Sequence, residues 1–468
     1  MINSQFDDTI AAIATPLGKG GIGIVRISGV AAVAILKRLL APKADVADRR
    51  SHQLYLRDIY SPEAVFLDRG FTVWMQAPAS YTGEDVVELQ CHGGPKVMGQ
   101  ILRAVLAAGA RLATPGEFTL RAFLNGKLDL AQAEAVADLI EAKTSKAAGL
   151  AAGQLQGRLS SYINNLAAEI TDLLAQIMVG VDFPDDEDAP SSQFILTVMR
   201  DLQQKIAALI AKAPAGTIYR EGITVMLTGP VNVGKSSLLN ALLGRERAIV
   251  SASPGTTRDM LEEYLDIDGL PVLLRDSAGI RGLSDLSEAE QIGINRSKAA
   301  AAESQLLLLV ADLTNIDGNR QELNQLLTIS AHRRRLLLLN KVDLAGQTQL
   351  VQAKNEYGHQ FSADEILTVS AKQGIGIEQL LSAIRNKALL TVDSEEDSLL
   401  INNARHQQAL LRAEEFLCQG IAGLDQEVPV DVISIDLENA AAALAEITGR
   451  AVGEDVLERI FSKFCVGK

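Results

Sequence analysis

Apolar residues recur along this chain with three different periods, and the changes of period divide it. From residue 1 to about 118, short β-branched runs such as "IGIVRISG" and "VVELQCH" alternate with Gly/Pro turns, which predicts a small α+β domain. From "KLDLAQAEAVADLIEAKTSKAAGLAAGQLQG" to about Pro214 the chain is rich in Ala, Leu, Gln and Glu at helical spacing, broken by the acidic stretch "DFPDDEDAP" at 182–190. Between about Tyr219 and Lys387 the texture alternates: "ITVMLTG", "VLLRD", "LLLLVAD" and "RLLLLN" read as buried strands and "KSSLLNALLG" as a helix. Continuous apolar strands between helices predict a doubly wound, mostly parallel sheet. Helical spacing then returns in "NNARHQQALLRAEEFL" and "LENAAAALAEITG". The expected organisation is an α+β N-terminal domain over 1–118, an all-α domain in two parts (119–217 and 388–468), and an α/β domain over 218–387 inserted between those parts.

Composition narrows the function classes. A chain of 468 residues, 47% hydrophobic, supports two or three packed cores and argues against disorder. With 44 basic against 58 acidic residues the net charge is −14, so nucleic acid would be met through a local patch or a partner. Cys91, Cys418 and Cys465 form no metal-type spacing, as expected of a reducing compartment. The opening "MINSQFDDTI" has no signal-peptide pattern, and the apolar runs are too short to span a bilayer. A soluble, cytoplasmic protein is expected.

The chemistry concentrates in the α/β region. "GPVNVGKSS", Gly229 to Ser237, fits the phosphate-loop pattern G-x-x-x-x-G-K-[ST] between a predicted strand and a predicted helix. Backbone N–H groups of Asn232, Val233, Gly234, Lys235, Ser236 and Ser237 would cradle phosphates at a helix N-terminus. The Lys235 ammonium would reach the β- and γ-phosphates and the Ser236 hydroxyl would ligate Mg²⁺. "DSAG" follows a strand, with Asp276 placed for the Mg²⁺ shell and Ser277, Ala278 and Gly279 beside the γ-phosphate. "NKVD" ends another strand. There the Asp343 carboxylate can accept from N1–H and N2–H of guanine, with Asn340 at the other purine edge, Lys341 over the ring and Val342 between them. Ser370, Ala371 and Lys372 ("SAK") would complete the base pocket. The expected nucleotide is GTP.

Two details bear on turnover. Ile280 stands where a Gln would orient a water, which leaves Glu290 in "SEAEQIGI" as a candidate; with Glu288 beside it, Glu290 reads equally as part of a solvated acidic face. The loop "SASPGTTRD" lies where a switch would be, with Thr257 placed to cap Mg²⁺.

Taken in order, "ATPLGKGGIGIVRISG", "YTGEDVVELQCHGGP", "PGEFTLRAFLNGKLDLAQAEA", "GTTRD", "IGI", "NARH" and "FCVGK" resemble the tRNA-modification GTPase family MnmE, also called TrmE, from end to end. The resemblance implies a potassium ion doing the work of an arginine finger, held by Asn232, backbone oxygens of Ser251 and Ser253, and Thr256. Ala252, Pro254, Gly255 and Thr257 belong to the same nucleotide-contacting loop. It implies that G domains pair face to face, and that Glu290, just before "IGI", orients the water. It also implies an N-terminal domain that forms the homodimer and binds 5-formyl- or 5,10-methylene-tetrahydrofolate through Arg26, Glu88 and Lys127. By themselves these are three ordinary charged residues, although a pterin offers a carboxylate the same donor edge as guanine. "GKGGIG" at 18–23 precedes a strand-like "IVRIS", so it is not a dinucleotide fingerprint.

For the family tail "FCVGK", the resemblance implies a segment folded back onto the folate site across the dimer, anchored by Phe464 and Val466, with Lys468 at the cofactor. Cys465 is either a nucleophile in one-carbon transfer or a filler of a small apolar hole. The implied activity is GTP hydrolysis coupled to modification of wobble uridine at carbon 5 in certain tRNAs. It would act in a heterotetramer with an FAD- and NADH-using subunit, MnmG (GidA), adding an aminomethyl or carboxymethylaminomethyl group. The rivals are a ribosome-assembly GTPase, against which the acidic balance stands, and a folate enzyme with a vestigial G domain, against which the intact Lys235, Ser236 and Asp343 stand. Departures from the family pattern are Val231 for Pro, Ser277 for Thr, Val466 for Ile, and two extra residues between "DSAG" and "IGI" that bear on the reach of Glu290.

Overall fold

The computed structural model describes residues 8–16, 18–40, 50–182, 190–244, 248–250, 263–276, 304–330, 332–389 and 400–467. The N-terminal part is a sheet of β1 (Ile10–Ile13), β2 (Gly23–Ser28), β3 (Tyr55–Tyr60), β4 (Phe66–Met75), β5 (Val86–Cys91) and β6 (Arg111–Leu112), in the order β3-β4-β5-β2-β1-β6. Helices α1 (Ala32–Leu39) and α2 (Pro95–Ala107) cover one face. Val25, Ile27, Val87 and Leu89 pack there with Ile35, Leu36, Met98 and Ile101. Because side chains alternate across a strand, Arg26 and Glu88 are left on the other face, directly opposite one another in the β2–β5 register. "IVRIS" is a strand, as its alternation predicts.

A run of helices follows: α3 (Glu117–Leu124), α4 (Leu130–Glu141), α5 (Ser145–Leu155), α6 (Arg158–Asp182) and α7 (Ser192–Glu221). Asp129 caps α4 through a reciprocal pair with Gln132. Thr144 caps α5 and Ser191 caps α7. Helix α7 continues through the exposed Pro214 to Glu221 and hands the chain to β7 (Ile223–Thr228) one residue later.

The inserted α/β unit comprises β7, α8 (Lys235–Leu243), β8 (Ala248–Val250), β9 (Glu263–Ile267), β10 (Leu270–Asp276), β11 (Leu306–Asp312), α9 (Arg320–Ile329), β12 (Arg335–Asn340), α10 (Gln347–Tyr357), β13 (Ile366–Thr368) and α11 (Ile377–Ala388). Its sheet runs β13-β12-β11-β7-β10-β9-β8, parallel from β13 to β10, with β9 antiparallel to both its neighbours. All seven residues of β11 are buried, the signature of a central parallel strand covered on both faces. The carboxyl ends of β7, β10, β11 and β12 therefore converge on one edge, where open α/β sheets bind ligands.

The chain returns as α12 (Ala404–Asp425), α13 (Val430–Thr448) and α14 (Glu454–Phe461). Leu166, Ile170 and Leu173 of α6 pack with Met199, Leu202 and Ile206 of α7, and with Leu410, Leu417, Leu437 and Leu444 of the returning pair. The two helical stretches of sequence thus share one core. Where the return passes α7, a Cβ on Gly216 would lie 2.2 Å from the Ile401 carbonyl oxygen, so only glycine lets the backbones cross. Among the described residues no helix is long and apolar enough to cross a membrane.

Candidate functional site

Strand β7 delivers the phosphate loop. A Cβ on Gly229 would stand 2.2 Å from the Val310 carbonyl oxygen, so the loop can leave the sheet only beside β11 as glycine. Asn232 takes φ +66° and Gly234 φ +95°, a left-handed turn that starts α8 at Lys235. Val233 is buried, whereas Asn232, Ser236 and Ser237 face outward. The Lys235 ammonium donates to the carbonyls of Gly229 and Pro230, at 2.8 and 2.7 Å.

Asn340, at the end of β12, is 2% exposed. Its Nδ2 donates to the Val233 carbonyl at 2.8 Å, and its Oδ1 accepts from Ala371 N–H at 3.2 Å. The amide therefore bolts the phosphate loop to the Ser370–Lys372 segment, a role its place in "NKVD" does not announce. Val342 N–H donates to the Val369 carbonyl at 3.2 Å, which sets the exposed Asp343 beside that segment. The Ser370 hydroxyl accepts from Gln373 N–H at 3.1 Å and shapes the turn that carries Lys372. Lys341 takes φ +65°, and its ammonium meets Asp312 Oδ2 at 2.6 Å and the Asn232 carbonyl at 3.1 Å. Burial alone would raise the Asp312 carboxyl, but Lys341 and the Thr314 hydrogen bonds hold it below the usual range.

The structure thus brings residues 229–237, 340–343 and 370–372 to one edge, and Asp276 closes β10, whose register with β7 pairs it with Leu227. Ser251, Ala252, Ser253, Pro254, Gly255, Thr256, Thr257, Ser277, Ala278, Gly279 and Glu290 lie outside the described residues. A glycine cradle at a helix N-terminus, with an ammonium inside it, suits phosphates and the magnesium they carry. Asn232 is exposed at the same lip, and an amide oxygen is a ligand type that a monovalent cation accepts.

A second constellation lies on the open face of the N-terminal sheet. Arg26 Nε donates to Glu88 Oε1 at 2.9 Å, and the guanidinium stands over the rings of Tyr81 and Phe118, 5.7 and 5.8 Å from their centroids. The C-terminal tail of the same chain reaches this face: the Gly467 carbonyl lies 3.5 Å from Arg26 Nη1. Gly467 takes φ +99°, and a Cβ on it would lie 2.4 Å from the Ile13 carbonyl. Phe464 is the anchor, 7% exposed, with its ring 5.3 Å from that of Phe461. Val466, by contrast, is 50% exposed on its own chain. Cys465 is exposed, and its carbonyl accepts from Gly116 N–H at 3.4 Å. Lys127 is exposed and donates to the Pro78 carbonyl at 3.0 Å. Lys468 lies outside the described residues.

Sequence reading missed the buried frame behind this face. Arg121, 1% exposed, donates to Glu84, Glu117 and Asp8, while Ser28 Oγ meets Thr82 and Glu84 at 2.7 Å each. Burial pushes Glu117 up, but Arg111, Thr114 N–H and Arg121 outweigh it and hold the carboxyl at about 2. The Glu117–Arg121 spacing, one helical turn, was the available signal.

A third polar cluster lies where the inserted unit joins the helices. Glu134 of α4 accepts from Arg405 at 3.0 and 2.7 Å and meets His406 Nε2 at 2.7 Å. One turn on, Asp138 accepts from Arg220 Nε at 2.8 Å and Asn402 Nδ2 at 3.2 Å. Desolvation raises Asp138 to about 6. Glu134, pushed up by burial, is pulled down to about 2 by His406 and Arg405.

Two family profiles match the chain: "GTP-binding protein TrmE N-terminus" over residues 9–127 and "MnmE helical domain" over 130–465. The "tRNA modification GTPase MnmE" of Roseiflexus sp. is 44% identical over 99% of this chain and 100% of its own length. That of Acetivibrio thermocellus is 40% identical over 99% of each. Among solved structures, the G domain of the T. maritima FeoB iron transporter is 29% identical, covers 36% of this chain and 98% of that one, and has a TM-score of 0.27.

Proposed function

The chain belongs to the tRNA modification GTPase MnmE family, and we propose that its GTP hydrolysis drives G-domain opening and closing while a folate-borne carbon is transferred to tRNA. The chain is a GTP-hydrolysing enzyme of tRNA modification. The finer reading is addition of an aminomethyl or carboxymethylaminomethyl group to carbon 5 of wobble uridine, together with an FAD- and NADH-using MnmG subunit.

In the nucleotide site Lys235 would move from the carbonyls of Gly229 and Pro230 onto the β- and γ-phosphates. Asp343 would accept from the guanine edge beside Ser370–Lys372, while Asn340 holds the two loops in register. Magnesium at Ser236 and Thr257 and potassium at Asn232, Ser251, Ser253 and Thr256 would supply positive charge against the leaving phosphate oxygens. Glu290 would orient the water.

The observation that carries the one-carbon reading is the Gly467 carbonyl set against Arg26, within the Arg26–Glu88 pair. A tail drawn 441 residues back along the chain onto a cross-strand ion pair between aromatic rings suits a flat, charged cofactor. Glu88 would accept from a pterin edge, and Arg26, Lys127 and Lys468 would meet its polar groups. A homodimer through the N-terminal sheet is supported by its edge strand, where Leu56 faces Phe71 and both are about half exposed, at 53% and 47%.

The test is mass spectrometry of tRNA nucleosides from cells lacking this chain, against cells re-supplied with it. Loss and return of the carbon-5 group on wobble uridine is the expected result. An unchanged nucleoside profile would move the reading to a ribosome-assembly GTPase.

A further inference from the structure

The α/β unit is inserted in the helical domain, yet it touches that domain at more than its two crossings. The turn between α4 and α5 holds the tip of the β9–β10 hairpin. The Thr144 hydroxyl donates to the Gly269 carbonyl at 2.8 Å while accepting from Ala147 N–H at 3.1 Å, so one side chain both caps α5 and grips the hairpin. Gly269 takes φ +88°, its N–H bonds Asp266 Oδ1 at 2.6 Å, and a Cβ on it would lie 2.6 Å from Lys146 Cβ. The Lys143 ammonium stands 3.9 Å from the centre of the Tyr264 ring on β9. Lys146 stands over Tyr219 and reaches its hydroxyl at 3.2 Å.

Both crossings are fixed to the same corner. Arg220, on the last turn before β7, and Asn402, on the returning segment just before α12, share the Asp138 carboxylate at the end of α4. Gln154 of α5 donates to Asn402 Oδ1 at 2.9 Å. The α4–α5 corner therefore holds the inserted unit at three points: the way in, the way out and the hairpin tip.

The hairpin is the point with consequences for catalysis. Its strand β10 lies parallel to β7, pairing Val272 with Ile223 through to Asp276 with Leu227, and ends at Asp276 beside the strand that delivers the phosphate loop. A hairpin displaced along its strands displaces Asp276 against Gly229. The grip on its tip comes from outside the G domain, so the helical domain biases that register. By linkage, the nucleotide state biases the corner in return.

We propose that Thr144 is a positioning residue for GTP hydrolysis, and that the α4–α5 corner is the element through which the helical domain and the nucleotide site sense one another. Thr144 touches no nucleotide; it acts through Gly269 and β10.

Three full-length variants test this. Thr144→Val keeps shape and removes both hydroxyl bonds; Thr144→Ser restores both. Ser191→Ala removes a cap of the same kind on α7, where Ser191 Oγ accepts from Phe194 N–H, with no hairpin attached. A lost buried hydrogen bond felt in the transition state lowers kcat about fivefold to tenfold. That fall is expected for Thr144→Val with GDP affinity unchanged, while Thr144→Ser and Ser191→Ala stay near the native kcat. Native kcat in Thr144→Val, or an equal fall in Ser191→Ala, overturns the proposal. Amide exchange on the unmutated protein decides it independently of any folding defect. Protection over residues 143–148 should differ between the GDP state and the GDP–aluminium fluoride state, and identical protection refutes the coupling.

Discussion

Truncating Phe464 to Ala tests how the tail is held. The ring is 7% exposed and packs on Phe461, with Leu130, Val136 and Leu457 in the same cluster. Removing a buried Phe side chain costs about 3–5 kcal/mol. The other tail contacts are weak: Cys465 O to Gly116 N–H at 3.4 Å and Gly467 O to Arg26 at 3.5 Å are both at the long limit of hydrogen bonding. Together they contribute at most about 2 kcal/mol net. A loss of about 3 kcal/mol shifts the docked-to-free ratio of the tail by roughly a hundredfold. Apparent affinity scales with the competent fraction, so 5-formyl-tetrahydrofolate binding, followed by calorimetry, should weaken by at least about tenfold. GTP affinity, measured on the same samples, should not move, since the nucleotide loops lie on another sheet. Deleting the last five residues should abolish folate binding outright. Native folate affinity in Phe464→Ala would refute the assignment of the tail to that site.

Gly234→Ala would place a methyl 2.4 Å from Asn340 Nδ2 in a backbone of positive φ, expelling the amide that joins Val233 to Ala371. GTP affinity should fall at least about tenfold in a fluorescent-nucleotide titration, and native affinity would show that the bolt is dispensable. For Asp138, burial raises the folded pKa from 3.8 to about 6, so the folded chain binds that proton more tightly than the unfolded one. Its contribution is most favourable at low pH and declines by about 3 kcal/mol as pH rises through that interval. Glu134, depressed from 4.5 to about 2, acts in the opposite sense and is complete above pH 4.5, while burial holds the His406 imidazole below its ordinary range and adds a rise of stability with pH, so the Asp138 contribution is read as the difference between the native and Asp138→Asn curves from pH 4.5 to 6. Asp138→Asn should flatten the decline of melting temperature across that window, and parallel curves would refute the assignment. Glu290→Ala should lower GTP turnover by about a hundredfold or more at unchanged GTP affinity, with near-native turnover removing Glu290 from the mechanism.

The α/β unit was legible because its strands are buried on both faces and read as unbroken apolar runs, "LLLLVAD" foremost. The phosphate loop was legible because glycines, Lys235 and Ser236 are local in sequence. What depended on tertiary contact was not. Helical spacing in the sequence runs only to about Pro214, and proline removes a helix hydrogen bond. Yet Ala213, Ala215 and Tyr219 are buried around it, and their packing carries α7 on to Glu221, putting Arg220 where Asp138 can hold it. Arg26 and Glu88 are 62 residues apart and become neighbours only through the β2–β5 register. Asn340 was legible as a member of "NKVD", but its two bonds inside the protein are set by loops 107 and 31 residues away.

Helix α4 gives these separated pieces a common frame. It begins one residue after Asp129, close behind Lys127, and ends at the corner that grips the G domain. Its twelve residues span about 18 Å. Glu134 and Asp138 lie one turn apart on it, and their partners come from 82, 264 and 271 residues away. Apolar residues of similar volume would stabilise such a site as well as buried ions do. What they would lack is direction: an apolar seam tolerates sliding, whereas a carboxylate shared by Arg220 and Asn402 fixes both crossings of an inserted domain to one rung of one helix. Coupling of GTP turnover in one domain to events in another gains from that rigidity, because motion absorbed at a loose junction would never arrive.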